Sequence, residues 1–247
     1  MELRVLTYNI HRAIGVDRRF RLERIATILG HHDADLVLLQ EVDVGVPRSR
    51  RLDLAHELAA QLGYAHFALG LNVRLREGMY GNATLSRFPI LRQRNIDLTI
   101  GRRKARGCLF TELAMPDGVA GPLAVFNLHL GLSFKERPLQ VGTLVRSPEF
   151  MAILAEQPSL VGGDFNDWLS RISPIFTEGL CFGCATNHGP DQQTPIATYP
   201  SFSPTGGLDK IFWRGPLNLL GSRRCRLRSA KVASDHLPVV ADFFVHP

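Results

Sequence analysis

Residues 160–167 read Leu-Val-Gly-Gly-Asp-Phe-Asn-Asp, so a short apolar run leads directly to a carboxylate and an amide. The run around Leu160 and Val161 predicts a β-strand. Asp164 and Asn166 follow that strand and are candidates for a site at its end. A lone Asp or Asn after a strand is more often a turn residue or a helix cap, so this stretch needs support from the rest of the chain.

The same arrangement recurs at three other places. Asn9 closes the first predicted strand, Glu41 follows the apolar run Leu36 to Leu39, and the pair Asp235 and His236 precedes the last strand. Magnesium takes one or two carboxylates and fills its remaining positions with water and substrate phosphate oxygens. Hard oxygen ligands from several strand ends therefore favour a magnesium site over a set of unrelated turns.

Short apolar and β-branched runs alternate with amphipathic stretches along the chain. The predicted strands are Leu3 to Tyr8, Leu36 to Leu39, Ala83 to Leu85, Leu109 to Leu113, Leu123 to Leu128, Leu160 to Val161, Lys210 to Trp213 and Val239 to Val245. Helical spacing of apolar residues predicts helices around Leu22 to Leu29, Leu54 to Leu62 and Leu139 to Leu154. The strands between residues 83 and 128 have no helix between them, which indicates antiparallel pairing within a mixed α/β fold.

Length and composition are those of a globular α/β protein. The chain has 247 residues, 45% of them hydrophobic, and we expect one domain over residues 1–247. No apolar run approaches the roughly 20 residues of a membrane helix, and no leader pattern follows Met1, so we expect a cytoplasmic protein without a transmembrane segment. The segment from Asn187 to Gly207 is rich in Pro, Thr, Ser and Gly, which predicts a mobile surface loop beside a site.

A formal charge of +6 and a pI near 9.5 favour an anionic partner. Arginine clusters such as Arg102, Arg103 and Arg106 also occur on ordinary solvated faces, so charge alone does not identify a nucleic-acid-binding protein. The four cysteines are too sparse for a disulfide framework. Cys181 and Cys184 form one C-x-x-C pair, for which a zinc site is the alternative to two free thiols.

Seven motifs, taken together and in order, resemble the endonuclease/exonuclease/phosphatase superfamily. They are TYNIH at 7–11, LQEVD at 39–43, GNATLSRFPI at 81–90, NLHLG at 127–131, GGDFND at 162–167, GLDKIF at 207–212 and SDHLP at 234–238. The resemblance runs from Thr7 to Phe243. It implies an α/β (α+β) fold, a four-layer sandwich of two packed mixed β-sheets flanked by helices, with the active site at one edge of the sheets.

The resemblance also implies roles for individual residues. Asn9, Glu41 and Asp235 correspond to the metal shell, with Glu41 the principal ligand for Mg²⁺ or, alternatively, Mn²⁺. Asp164 and Asn166 correspond to the pair that positions or activates the attacking water. A full list of the catalytic positions comprises His129, Asp164, Asn166, Asp209 and His236.

Two histidines and two cleft residues complete the implied site. His236 corresponds to the histidine that stabilises the transition state or acts as a base, and Asp209 to the carboxylate that orients it. His129 corresponds to a histidine that contacts the phosphate and protonates the leaving oxygen in the DNase and sphingomyelinase branches. Asn82 and Arg106 correspond to substrate-binding residues, although Arg106 is nearly as well explained as one more charge in a basic run.

The implied activity is divalent-metal-dependent hydrolysis of a phosphodiester, either in nucleic acid or in a phospholipid head group, by a monomeric enzyme. A phosphomonoesterase for a small phosphorylated molecule and a non-catalytic binding module of the same fold are the alternatives. The abasic-site endonucleases fit less well, because they carry a tyrosine where this chain has His129 and an acid where it has His11. Tyr80 and Trp168 could stack on a ring, but single aromatic residues are more often packing residues.

Overall fold

Two six-stranded β-sheets lie face to face in the computed structural model, which describes residues 1–116, 121–154, 156–188 and 194–247. The strands are β1 Glu2–Asn9, β2 Leu36–Val44, β3 His66–Arg74, β4 Met79–Ser86, β5 Ile90–Asp97, β6 Gly107–Leu113, β7 Leu123–His129, β8 Ser159–Asp164, β9 Gly183–Cys184, β10 Asn187–His188, β11 Thr194–Pro195, β12 Asp209–Arg214, β13 Leu217–Arg224 and β14 Val239–Val245. The α-helices are α1 Leu22–His32, α2 Leu54–Leu62, α3 Glu136–Val145, α4 Pro148–Met151 and α5 Ala230–Ala233.

The two sheets share one pattern of strand directions. The first sheet has the order β13-β14-β1-β2-β4-β3, and the second has β5-β6-β7-β8-β12-β9. Each contains one parallel pair, β1 with β2 and β7 with β8, and the other neighbours are antiparallel. In such a layout, the carboxyl ends of a parallel pair lie beside the amino ends of its antiparallel neighbours.

Apolar side chains of alternating strand positions fill the space between the sheets. Val5 and Leu38 of the first sheet are fully buried against Val125, Leu160 and Ile211 of the second. Alternation means that the residues between them point to the outer faces, where the helices cover them. The sheets therefore bury both of their faces.

Helices cover each outer face and complete four layers. Ile25 of α1 and Leu58 of α2 pack on Leu39 of the first sheet, and Leu144 of α3 packs on Phe126 of the second. The predicted four-layer sandwich of two mixed sheets flanked by helices is confirmed. Among the helices of the described residues, none has the length and apolar character needed to cross a membrane.

One predicted helix is wrong in its extent. The structure has α3 and then the separate short helix α4 where the apolar spacing predicts a single helix from Leu139 to Leu154. Ser147 is extended and its hydroxyl accepts a hydrogen bond from the amide of Phe150, while Pro148 occupies the first turn of α4. A proline lacks the amide hydrogen that a helix interior needs, so the first helix ends before it and a second one begins.

The segment predicted to be a mobile surface loop is partly buried. Ile196, Thr198 and Ser201 are almost completely shielded from solvent, and the amide of Ser201 donates to the carbonyl oxygen of Asp235. Residues 189–193 of the predicted loop lie outside the described residues. The described remainder forms a wall against the chain just before β14 and combines these buried residues with exposed ones such as Phe202, so it lies at the surface and its mobility stays a prediction.

Buried amide side chains join the two sheets. Asn127 of β7 donates from Nδ2 to the carbonyl oxygens of Leu39 (3.2 Å) and Ala83 (2.8 Å) on the opposite sheet. Gln40 of β2 donates to Asn127 Oδ1 at 2.8 Å. In the other direction, Asn82 of β4 donates to the carbonyl oxygens of Gly107 and Asn127. A buried amide gains most when all its groups are paired, so this network favours one relative position of the sheets.

We expect Asn127→Ala to lower the free energy of unfolding by about 2–4 kcal/mol, because it removes two buried hydrogen bonds to the carbonyl oxygens of the opposite sheet and one from the Gln40 amide. Urea denaturation followed by circular dichroism measures the loss. Asn218→Ala, at an exposed position of β13, serves as the matched control and should change the stability by less than about 0.5 kcal/mol. Equal stability of the two variants would contradict a stabilising role for the network.

Candidate active site

The strand directions bring five candidate residues to one edge of the sandwich. Asn9 ends β1, His129 ends β7 and Asp164 ends β8, while Asp209 begins β12 and His236 lies three residues before β14. β12 runs antiparallel to β8 in the register Asp209 opposite Asp164, so these two side chains start from neighbouring backbone positions. Residues separated by more than 200 positions in the sequence therefore meet at this edge.

Asp164 lies at the centre of this group and is 1% exposed. Its Oδ2 accepts a hydrogen bond from Asn9 Nδ2 at 3.0 Å, and its Oδ1 accepts from the backbone amide of Asn166 at 2.9 Å. The Nε2 atoms of His129 and His236 lie 3.5 Å and 3.6 Å from Asp164 Oδ2. One buried carboxylate thus stands between two imidazoles.

Asp209 orients His236 through a hydrogen bond of 2.8 Å between Asp209 Oδ2 and His236 Nδ1. Since a carboxylate accepts, Nδ1 carries a proton, and Nε2 is left facing Asp164. Burial lowers the pKa of His236, but the charges of Asp209, Asp164 and Asp235 outweigh burial and raise that pKa to about 10. His236 is therefore a cation at neutral pH.

The other imidazole has the opposite protonation state. Burial lowers the pKa of His129 well below its usual value, and the positive charges of Arg106, His236 and Lys104 lower it further. Burial also raises the pKa of Asp164 to about 6, against the opposing effect of His236. A neutral and a cationic histidine thus flank a carboxyl group whose pKa is close to neutral. Active sites often hold acids and bases whose pKa values have been moved apart in this way.

Glu41 reaches the edge because of a β-bulge in β2. The pairing with β4 shifts between Leu39 and Val42, so two residues of β2 lie opposite one residue of β4. Glu41 takes a left-handed backbone conformation there, with φ of 56°. Bulges re-aim a side chain at the rim of a sheet, at the cost of a strained backbone for a residue other than glycine.

The Glu41 carboxylate lacks a full set of partners. Its Oε2 is buried without a hydrogen bond and lies 3.2 Å from Nε of Arg12. An anionic oxygen that is withdrawn from water and paired only with one guanidinium is suited to a hard cation. Arg12 belongs to a left-handed turn at residues 11–13, directly after β1.

The two other predicted metal ligands, Asn9 and Asp235, lie beside the group around Asp164 and His236. Asn9 uses its amide nitrogen for Asp164, and its Oδ1 accepts from the backbone amide of His11 at 3.0 Å. Asp235 is half-buried and its charge acts on His236. Ser234 ties this segment to β1, because its hydroxyl donates to the carbonyl oxygen of Asn9 at 2.7 Å.

A different trio is the one whose ligand atoms lie close together. Within the described residues, Asp164, Asp209 and His236 have their nearest candidate atoms within 4.8 Å of one another, and neither Cys181 nor Cys184 belongs to such a group. Both ring nitrogens of His236 already face carboxylates, and a cationic imidazole cannot ligate a metal. The trio is therefore better described as a proton-bearing chain than as a metal cage. The zinc alternative for the C-x-x-C pair gains no support from these residues.

Arg106 and Asn82 line a narrow recess that also contains His129 and Tyr80. Arg106 is 6% exposed and its Nε has no hydrogen-bond partner, so a guanidinium charge is held beside His129. Asn82, by contrast, has its Nδ2 hydrogens already bonded, because Nδ2 donates to two backbone carbonyl oxygens of the other sheet. Asn166 likewise donates from Nδ2 to the carbonyl oxygen of Leu130 at 2.9 Å.

Sequence reasoning missed three contributors to the site. Arg12 pairs with the predicted ligand Glu41, Gln40 joins the sheets beside it, and the ring of Tyr199 lies 4.9 Å from that of His236. Gln40 lies within the LQEVD motif, so the sequence could have indicated that it belongs to the site. No sequence pattern indicated Arg12 or Tyr199, because a turn and a loop determine their contacts. His11 contacts the chain itself, since its Nδ1 lies 2.8 Å from the carbonyl oxygen of Ile14.

Comparison with known proteins gives a consistent family and fold. The sequence model described as "Endonuclease/Exonuclease/phosphatase family" matches residues 6–236. The uncharacterized protein YbhP of Escherichia coli is 32% identical over 97% of this chain and 95% of its own length. Among solved structures, an endonuclease/exonuclease/phosphatase from Beutenbergia cavernae has a TM-score of 0.78 at 22% identity, covering 99% of this chain and 72% of that one. A mannosyl-6-phosphatase of Bacteroides thetaiotaomicron has a TM-score of 0.73 at 18% identity, with 98% and 99% covered.

We expect Asp209→Asn to lower the pKa of His236 from about 10 towards the ordinary value of 6.5, because it replaces the charged acceptor of the Nδ1 proton with a neutral amide. Nitrogen-15 NMR of the imidazole in metal-free protein measures this pKa. Asp242→Asn, in the middle of β14 and paired with Arg4, is the control that should leave it unchanged. An unaltered pKa in the Asp209 variant would show that another group sets the charge of His236.

Proposed function

Because this chain belongs to the endonuclease/exonuclease/phosphatase family, whose members hydrolyse phosphoester bonds, we propose that it is a phosphodiester hydrolase that requires a divalent metal ion. The observation that carries the proposal is the position of Asp164, a buried carboxylate between a cationic and a neutral histidine. Such a group can hold a water molecule and take its proton at neutral pH, since its pKa of about 6 lies near the working range.

In this proposal, the attacking water lies against Asp164, which accepts its proton as the new bond to phosphorus forms. The cationic His236 donates a hydrogen bond to a phosphate oxygen and offsets the charge that builds up on it. Asp209 keeps His236 protonated and holds its ring in one orientation. Asn9 keeps the carboxylate of Asp164 in place through its amide.

His129 and Arg106 act on the other side of the phosphate. Arg106 supplies a fixed positive charge that attracts the anionic ester. His129 is neutral in the free protein, and the negative charge of a bound phosphate raises its pKa. It can then give a proton to the leaving oxygen as the ester bond breaks. Binding of substrate therefore prepares the acid that the reaction needs.

The metal ion is assigned to Glu41, Asn9 and Asp235. All three offer hard oxygen atoms, and the Oε2 atom of Glu41 is buried without a hydrogen bond, which fits Mg²⁺ and also Mn²⁺. The bound ion would supply positive charge next to the phosphate oxygens. Arg12 would then exchange its contact with Glu41 for water or for substrate.

We expect the purified protein to hydrolyse bis-p-nitrophenyl phosphate when Mg²⁺ is added and to lose this activity in EDTA. Release of p-nitrophenolate, followed by its absorbance, measures the rate. Readdition of Mg²⁺ or Mn²⁺ should restore it. Full activity after exhaustive chelation would rule out the metal requirement, and hydrolysis of p-nitrophenyl phosphate alone would show a monoesterase.

We expect Asp164→Asn to lower kcat by about 10²–10⁴-fold, since it keeps the shape of the side chain but removes the base. Steady-state kinetics with the same ester measure the loss, and thermal unfolding shows whether the variant is folded. Glu41→Gln should instead raise the Mg²⁺ concentration needed for half-maximal activity by about tenfold or more. Glu77→Gln, at an exposed residue paired with Arg51, is the control. Unchanged kinetics of both site variants would contradict the proposed mechanism.

A further inference from the structure

Large apolar side chains are exposed in the loops that surround the candidate site. Five of them, here called the apolar rim, are Leu132, Phe134, Trp168, Leu169 and Phe202, which are 77%, 59%, 52%, 71% and 65% exposed. The first two lie just after His129, the next two just after Asp164, and the last within the wall that precedes β12. Exposed apolar side chains that gather in one place mark a binding surface.

Contacts between the three loops show that the rim is continuous. Asn166 donates to the carbonyl oxygen of Leu130, and the guanidinium of Arg137, whose Nη1 donates to the carbonyl oxygen of Leu132, lies 3.9 Å from Asp167. The ring of Trp168 lies 5.5 Å from that of Tyr199 in an edge arrangement. Tyr199 in turn packs against His236, so the rim borders the catalytic group.

Side chains of α3 hold the loop that carries Leu132 in its position at the surface. The amide of Gly131 donates to Oε1 of Gln140 at 2.8 Å, and Arg137 holds the carbonyl oxygen of Leu132. Glu136 and Gln140, which are buried beneath the loop, are hydrogen-bonded to each other at 3.0 Å. The polar layer beneath the loop leaves the apolar side chains no core to enter, so their exposure is built into the fold.

Exposed basic side chains accompany the rim. They are Arg102, Arg103, Lys104, Lys135, Arg171 and Lys231. Arg103 lies 3.5 Å from Glu136 at the base of the first loop, and the ammonium of Lys135 lies 5.8 Å from the ring centre of Phe134. Apolar tips beside long basic side chains match a surface that is apolar inside and anionic at its boundary.

We propose that the apolar rim inserts into the surface of an anionic phospholipid bilayer and places the site against the head groups. The presence of Leu132 and Leu169 argues against single-stranded nucleic acid as the partner, because aliphatic side chains cannot stack on bases as aromatic ones do. The binding itself does not require catalysis, but the corollary that the substrate is a phospholipid diester rests on the proposed function.

Co-sedimentation with vesicles of equal parts phosphatidylglycerol and phosphatidylcholine tests the proposal. We expect the full chain to sediment with them and to bind about tenfold or more weakly after Leu132→Ser with Phe134→Ser, since insertion of two large apolar side chains is lost. A second double variant, Leu169→Ser with Phe202→Ser, should show a similar loss. Vesicles of phosphatidylcholine alone, or added salt, should weaken binding of the wild-type chain.

The matched control is Leu91→Ser with Leu220→Ser, which changes two side chains that are equally exposed on edge strands. It should sediment as the wild type does. Circular dichroism and thermal unfolding show whether each variant is folded. The Asp164→Asn variant should bind vesicles as the wild type does, so the vesicle test can be interpreted even if the catalytic proposal fails. Failure to sediment, sedimentation that both rim variants retain, or rim-dependent binding of a single-stranded oligonucleotide without vesicle binding would each overturn the proposal.

Discussion

Paired amides between the two sheets are the constraint on which the site depends. Asn127 of β7 and Gln40 of β2 join the two sheets, and Asn82 of β4 makes the reciprocal hydrogen bond. Apolar packing alone would tolerate small shifts of one sheet over the other, whereas buried hydrogen bonds have narrow geometry and are costly to break. A site assembled from both sheets needs such a fixed position, because its interatomic distances must hold to within about half an ångström.

The sequence allowed prediction of the centre of each sheet and not of its edges. All eight strands predicted from apolar runs occupy inner positions of the two six-stranded sheets, and the outermost strands of those sheets, β3, β5, β9 and β13, were missed. The short strands β10 and β11, which form a separate two-stranded sheet, were missed as well. The edge strand β5 has five consecutive exposed residues from Leu91 to Asn95, most of them polar or charged, and therefore no apolar run that would predict it. Periodicity detects burial, so it detects the strands that are buried on both faces.

For the candidate site, the sequence allowed prediction of the residues that lie together but not of their charges or contacts. Motif order predicted Asn9, Asp164, Asp209 and His236 as members of one site, and the structure places these four side chains together because the strand directions bring them to one edge. Their roles stay predictions. The opposite protonation states of His129 and His236 could not be predicted, since they arise from burial and from neighbours distant in sequence. The same holds for the bulge at Glu41 and its contact with Arg12, which depend on pairing register and on a turn.

Burial connects the chemistry of the site with the surface around it. Low solvent exposure raises the pKa of Asp164 and lowers that of His129, so both groups depend on how much water reaches the edge of the sandwich. Charges interact more strongly where water is excluded, and a surface that covers the loops would exclude more of it. The apolar rim lies on the loops that follow His129 and Asp164, so any partner that covers the rim also changes the electrostatics of the Asp164 carboxylate. Recognition of a partner and activation of the attacking group would then be two consequences of one contact.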